Sequence, residues 1–107
     1  MVDLVILDNF NKEHQKFENR FRQSLTLIDR PFTWRWVHYS MLENKANFHA
    51  LLDTDGIILS GSYQMVSNPV TIHKYHHVIR LIKSYSKPLL GICFGHQLIG
   101  HCYHASI

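Results

Sequence analysis

The segment from Pro88 to Tyr103 leaves the backbone little choice. Leu89-Leu90-Gly91-Ile92 is a short apolar strand, and from Phe94 the spacing is that of a helix following at once. Between them stands Cys93, with Gly91 two residues before it and Gly95 two residues after. A strand that becomes a helix without a loop must bend sharply at one residue. Small neighbours on both sides let the strained backbone pass, so Gly-Ile-Cys-Phe-Gly is the cysteine form of the Gly-x-Ser-x-Gly elbow. Such a turn lifts the sulfur above a sheet and sets it at a helix N-terminus, where free N–H groups and the helix dipole favour negative charge. The thiolate is the nucleophilic form, so Cys93 is the candidate nucleophile. The bland alternative is a buried cysteine acting as a small hydrophobe, the fate expected for Cys102.

The rest of the chain supplies a sheet for that elbow. Val2 to Leu7 is an almost continuous apolar run, as in a strand buried on both faces. Asn9 and Asn11 offer caps for a helix whose apolar face is Phe17, Phe21, Leu25 and Ile28, stopped by Asp29-Arg30-Pro31. Phe32, Trp34, Trp36 and His38 then alternate with Thr33, Arg35, Val37 and Tyr39, a period of two that predicts a strand near a sheet edge. Asn47 to Leu52 predicts a short helix, Ile57-Ile58-Leu59 a third strand, and Ser60-Gly61-Ser62 the turn leaving it. Ser67-Asn68-Pro69 starts one further helix with Ile72, Tyr75, Val78, Ile79, Leu81, Ile82 and Tyr85 inward, ended by Ser86-Lys87-Pro88. Strands alternating with helices give an α/β fold with a mainly parallel sheet.

Composition narrows the partners. A chain of 107 residues holds one domain at most, and 46% hydrophobic with 12% aromatic residues excludes disorder. No apolar run approaches the roughly 20 residues of a membrane-crossing helix, and Met1-Val2-Asp3-Leu4 lacks the features of a secretory signal. The net charge of +3 is scattered, not gathered into the basic stripe that nucleic acid asks for. On one helix, Cys93 and Cys102 would lie roughly 13 Å apart at ~1.5 Å rise per residue. A disulfide spans no more than about 7 Å between α-carbons, so both thiols stay reduced and the cytoplasm is the expected compartment.

Gly91-Ile92-Cys93-Phe94-Gly95-His96-Gln97 resembles the nucleophile motif of the class I, triad-type glutamine amidotransferases. Asp55-Gly56-Ile57-Ile58-Leu59-Ser60-Gly61-Ser62 resembles that family's preceding strand and glycine-rich turn, in the family's order. The resemblance implies a flavodoxin-like three-layer sandwich, residues 1–107 being the N-terminal portion of the domain, ending just after the nucleophile helix. It also implies a chemistry. Cys93 would attack the side-chain amide of L-glutamine, giving a γ-glutamyl thioester and ammonia for a synthetase. Phe94 and the Gly61-Ser62 turn would donate backbone N–H groups to the oxyanion, which is sound chemistry for acyl transfer. Gln97 matches the glutamine that helps hold the substrate's amino-acid end. No cofactor and no metal are implied.

Two departures stand out. Where the family often has a second glycine followed by proline, this chain has Ser62-Tyr63, and a positive φ there would cost serine about 1 kcal/mol or more. The family's base and orienting acid form a His-x-Glu pair far downstream, and no His-x-Glu occurs in these residues. His96 lies on the helix of Cys93 but its family counterpart is not the base, and His101 and His104 are ~12–17 Å away by helical rise. A general base must come within about 3 Å of its proton. The 107 residues are therefore expected to show little or no glutaminase activity alone, the fold being incomplete at its C-terminus. The nucleophile strand is expected to have an open edge, completed by another polypeptide or by self-association.

Other constellations carry less. His73 and His77 at i, i+4 could face a metal, yet no acidic or thiol ligand accompanies them, and a structural site wants four. His101-Cys102-Tyr103-His104 fits a helix tail better than a metal cluster, since Cys102 turns away from the histidines. Trp34, Arg35 and Trp36 read as core rather than as a base-stacking surface, and Lys12 to Arg22 as a solvated helix face. Against a working amidotransferase stand a non-catalytic binding or regulatory relative and a different cysteine hydrolase of isochorismatase-like or DJ-1-like type. Gly95-His96-Gln97 disfavours the last.

Overall fold

The computed structural model describes residues 2–10, 14–62 and 64–103, without the side chains of residues 14–17. Four strands, β1 (Val2–Asp8), β2 (Phe32–His38), β3 (Gly56–Leu59) and β4 (Leu89–Gly91), form one sheet in the order β2-β1-β3-β4. Every pairing is parallel. The order 2-1-3-4 is that of the flavodoxin-like doubly wound fold. β2 is an edge strand, as its half-polar alternation predicts, and β4 pairs among the described residues with β3 alone.

Alternation along the strands sorts the sheet into two faces. Val5, Leu7, Ile57 and Leu59 point to the larger core. It is covered by a 3-10 turn at Tyr39–Glu43 and by α2 (Lys45–Leu52), α4 (His76–Ser84) and α5 (Phe94–Cys102). α1 (His14–Leu25) lies over β2 on the opposite face, where Phe21 meets the edge of Trp36 and the Arg22 guanidinium sits 4.7 Å from the Trp34 ring. Helices on both faces make three layers. On the α1 side, no described element covers the β3–β4 half: Leu90 is 59% exposed, and a shallow apolar groove of about 180 Å³ runs past Leu4, Ile58 and Pro88.

Several boundaries differ from the sequence expectation, each for a local reason. α1 stops at Leu25, not Ile28: Leu27 and Ile28 donate back to Ser24 and Leu25 in a tightened last turn, and both side chains are exposed. α2 begins at Lys45 instead of Asn47 because the Asn44 side chain accepts from the N–H groups of Ala46 and Asn47. The helix expected from Pro69 to Tyr85 is two: α3 (Pro69–Lys74) ends and α4 begins at Tyr75, whose φ of −102° and ψ of 21° leave the helical region. Trp34 and Trp36 are half-buried seats for α1 rather than part of the main core. Asn11, Lys12 and His104 lie outside the described residues.

Candidate active site

Three loops leave the carboxyl ends of β1, β3 and β4 and converge there, at the topological switch point where doubly wound sheets bind their ligands. The third carries the cysteine. Cys93 has φ 49° and ψ −107°, the only positive φ among the described residues, glycines included. An L-residue in that region is strained, and such strain persists only where the surroundings fix it. The surroundings here are two close approaches. A Cβ on Gly91 would fall 2.5 Å from the His96 nitrogen, and one on Gly95 would fall 2.6 Å from the Leu59 carbonyl oxygen. Only glycine lets α5 start so near β3 and β4. The Ile92 N–H donates to Leu59 O at 2.9 Å, and that of Gln97 to Cys93 O at 3.0 Å, so the bend is tied on both sides. Cys93 itself is exposed, with its sulfur in no capping bond.

The second loop, Ser60-Gly61-Ser62, lies directly against this elbow. A Cβ on Gly61 would sit 3.7 Å from the Cys93 Cβ. Phe94, expected to share the oxyanion with this turn, is the first residue of α5, a position with no acceptor inside its own helix. The structure thus brings Cys93, Gly61 and Phe94 together. Ser62 has no positive φ, so the serine that departs from the family pattern carries no backbone strain. Gln97 stands one turn into α5 from Cys93 and is half-buried. Cys102 is buried at the far end of α5, its thiol 3.9 Å from Ile79 O and pushed up in pKa by burial. Both cysteines are free.

The first loop is what sequence reasoning missed. Asn9 caps no helix: it is fully buried, its N–H donates to Ser60 Oγ at 2.7 Å, and its side-chain amide donates to Ser60 O at 3.0 Å. Ser60 Oγ in turn donates to Gly61 O at 2.9 Å. Trp36 and the Phe10 N–H both donate to the Asp8 carboxylate, and the His38 ring holds Phe10 O at 2.7 Å. The β1 loop is therefore clamped by β2 on one side and clamps the glycine turn on the other. A polar residue directly behind the buried end of an apolar strand was the only available signal.

The remaining histidines gather no ligand set. The His76 ring lies between those of His73 and His77, at 5.7 and 3.9 Å, and no three His, Cys, Asp or Glu side chains converge among the described residues. Nor is any described helix long and apolar enough to cross a membrane.

Residues 5–107 match the model of the family "Glutamine amidotransferase class-I". The chain belongs to that family. It is 33% identical over 93 residues to a GMP synthase [glutamine-hydrolyzing] of Wolbachia pipientis wMel, and 33% over 92 residues to one of Ehrlichia canis (strain Jake). Each alignment covers 85% of this chain and 17% of the relative, so the chain spans about a sixth of the length of these relatives.

Proposed function

We propose that this chain is the nucleophile-bearing portion of a glutamine amidotransferase domain, with Cys93 attacking the side-chain amide of L-glutamine. The observation that carries the proposal is the strained φ of Cys93 between two glycines that admit no side chain. In this mechanism the sulfur adds to the amide carbonyl carbon, and the carbonyl oxygen gathers negative charge. The N–H groups of Phe94 and of the Gly61–Ser62 turn stabilise it, a contribution of about 2.7–4 kcal/mol per donor in comparable sites. The C–N bond then breaks, ammonia leaves, and water hydrolyses the γ-glutamyl thioester to glutamate. Gln97 holds the amino-acid end of the substrate from the same helix.

The relatives are named GMP synthase [glutamine-hydrolyzing], which supports a synthetase as the acceptor of the ammonia. Proton transfer at the sulfur is assigned to a histidine–glutamate pair outside these 107 residues. No cofactor enters the reaction. The free state of both cysteines favours a cytoplasmic setting.

A chloroketone built on the glutamine side chain tests the proposal. It should alkylate Cys93 and spare Cys102, and L-glutamine should protect Cys93 in a concentration-dependent way. Equal labelling of both thiols, or no protection by glutamine, would overturn it in favour of a non-catalytic relative.

A further inference from the structure

Tyr75 stands at the break between α3 and α4, 0% exposed, and its contacts run to both sides of the site. Its hydroxyl donates to Asn9 O at 2.6 Å and lies 3.3 Å from the Ser62 hydroxyl, whose oxygen accepts from the Gln64 N–H. Its ring packs on Phe94, centroid to centroid at 4.9 Å, and on Tyr39 at 4.5 Å. The two proposed oxyanion donors thus come from segments about thirty residues apart, the β3 turn and the start of α5, and one side chain touches both. The α3–α4 boundary falls at this same residue, with φ −102° and ψ 21°. The backbone bonding runs through the break: the Tyr75 N–H donates to Thr71 O and its carbonyl accepts from the Ile79 N–H.

We infer that Tyr75 is a positioning residue for the oxyanion hole, fixing the Ser62 turn through its hydroxyl and Phe94 through its ring. It touches no substrate atom. The inference rests on the proposed glutaminase chemistry, because only a reaction that develops an oxyanion needs those two N–H groups in register. Burial holds the phenol up at a pKa of about 12, so the hydroxyl stays a donor throughout the range in which a thiol acts. Asn9, whose carbonyl accepts the hydrogen bond from the Tyr75 hydroxyl, passes the same constraint to Ser60 and Gly61.

The test compares two alkylations of the 107-residue chain. Iodoacetamide needs only the thiolate, whereas the glutamine chloroketone has a carbonyl oxygen that becomes negative as sulfur adds. Tyr75→Phe keeps the ring and removes the hydroxyl. It should lower the maximal chloroketone rate about tenfold, as expected for a displaced oxyanion donor. The half-saturating chloroketone concentration and the iodoacetamide rate should stay within about twofold, which a general loss of structure would not allow. Ser62→Ala cuts the other end of the contact at a partly exposed residue, and it should reproduce part of the loss even if the first variant fails to fold. An unchanged maximal rate in the folded Tyr75→Phe protein, or in Ser62→Ala where that protein does not fold, overturns the inference. A wild-type protein whose Cys93 shows no preference for the chloroketone sinks the underlying glutaminase reading instead.

Discussion

The strain at Cys93 can be measured by taking it away. Cys93→Ala removes the sulfur but keeps a Cβ at φ 49°, whereas Cys93→Gly removes both the sulfur and the strain. The sulfur is exposed and caps nothing, so its loss alone costs little folding stability. A non-glycine residue in such a region costs about 1–3 kcal/mol. Glycine offsets part of the relief, because it gains freedom in the unfolded chain worth about 0.5–1 kcal/mol. The glycine variant should therefore be more stable than the alanine variant by about 1 kcal/mol, the reverse of their usual order in regular structure. For a domain of this size that corresponds to about 4–8 °C in Tm per kcal/mol. Urea unfolding followed by far-UV circular dichroism gives the difference at 25 °C, with equal slopes showing that the unfolded states match. Glycine equal to or below alanine would mean that the elbow stores no strain, and the case for an enforced nucleophile turn would lose its main support.

Two further outcomes follow from the packing and the charges. Gly95→Ala places a methyl 2.6 Å from Leu59 O and 2.7 Å from Leu59 Cβ, so α5 must back away from β3. It should cost about 1–3 kcal/mol, and an unchanged urea midpoint would contradict that packing. His77 has its pKa lowered by burial and then by the neighbouring His76, so the folded protein resists a proton that the unfolded chain accepts near 6.5. Its contribution to stability is present above that pH and is lost on acidification. The fall in Tm between pH 7.5 and 5.5 should be smaller in His77→Gln than in wild type, and equal slopes would remove His77 from the account.

The parts of the molecule legible in the sequence are those whose signals are local. The run Val2–Leu7, the alternation from Phe32 and the Leu89–Gly95 segment each carry their period or their glycines within ten residues, and β1, β2, β4 and α5 lie where those signals place them. The juxtaposition of Gly61 with Cys93 follows once both strands are parallel neighbours. The missed features depend on distant partners. Asn9 resembles a helix cap until it meets Ser60, 51 positions away. Tyr75 fits an unbroken helical stripe until Asn9 and Phe94 claim its two ends. The end of α1 before Ile28 is a failure of another kind, since an apolar residue at the right spacing can simply face solvent.

The arrangement of the sheet also divides the molecule by cooperativity. β1 is laced to β2 over seven residues and to β3 over four, whereas β4, among the described residues, is held by a three-residue register with β3 alone. Free energies of local opening follow such differences in support. Backbone amides of β4 should therefore exchange with solvent hydrogen through openings much smaller than global unfolding, while those of β1 exchange only when the whole domain opens. The elbow hangs on that weakest strand. Anything that pairs with β4 from outside would therefore raise the fraction of molecules with Cys93 correctly set, without touching the cysteine.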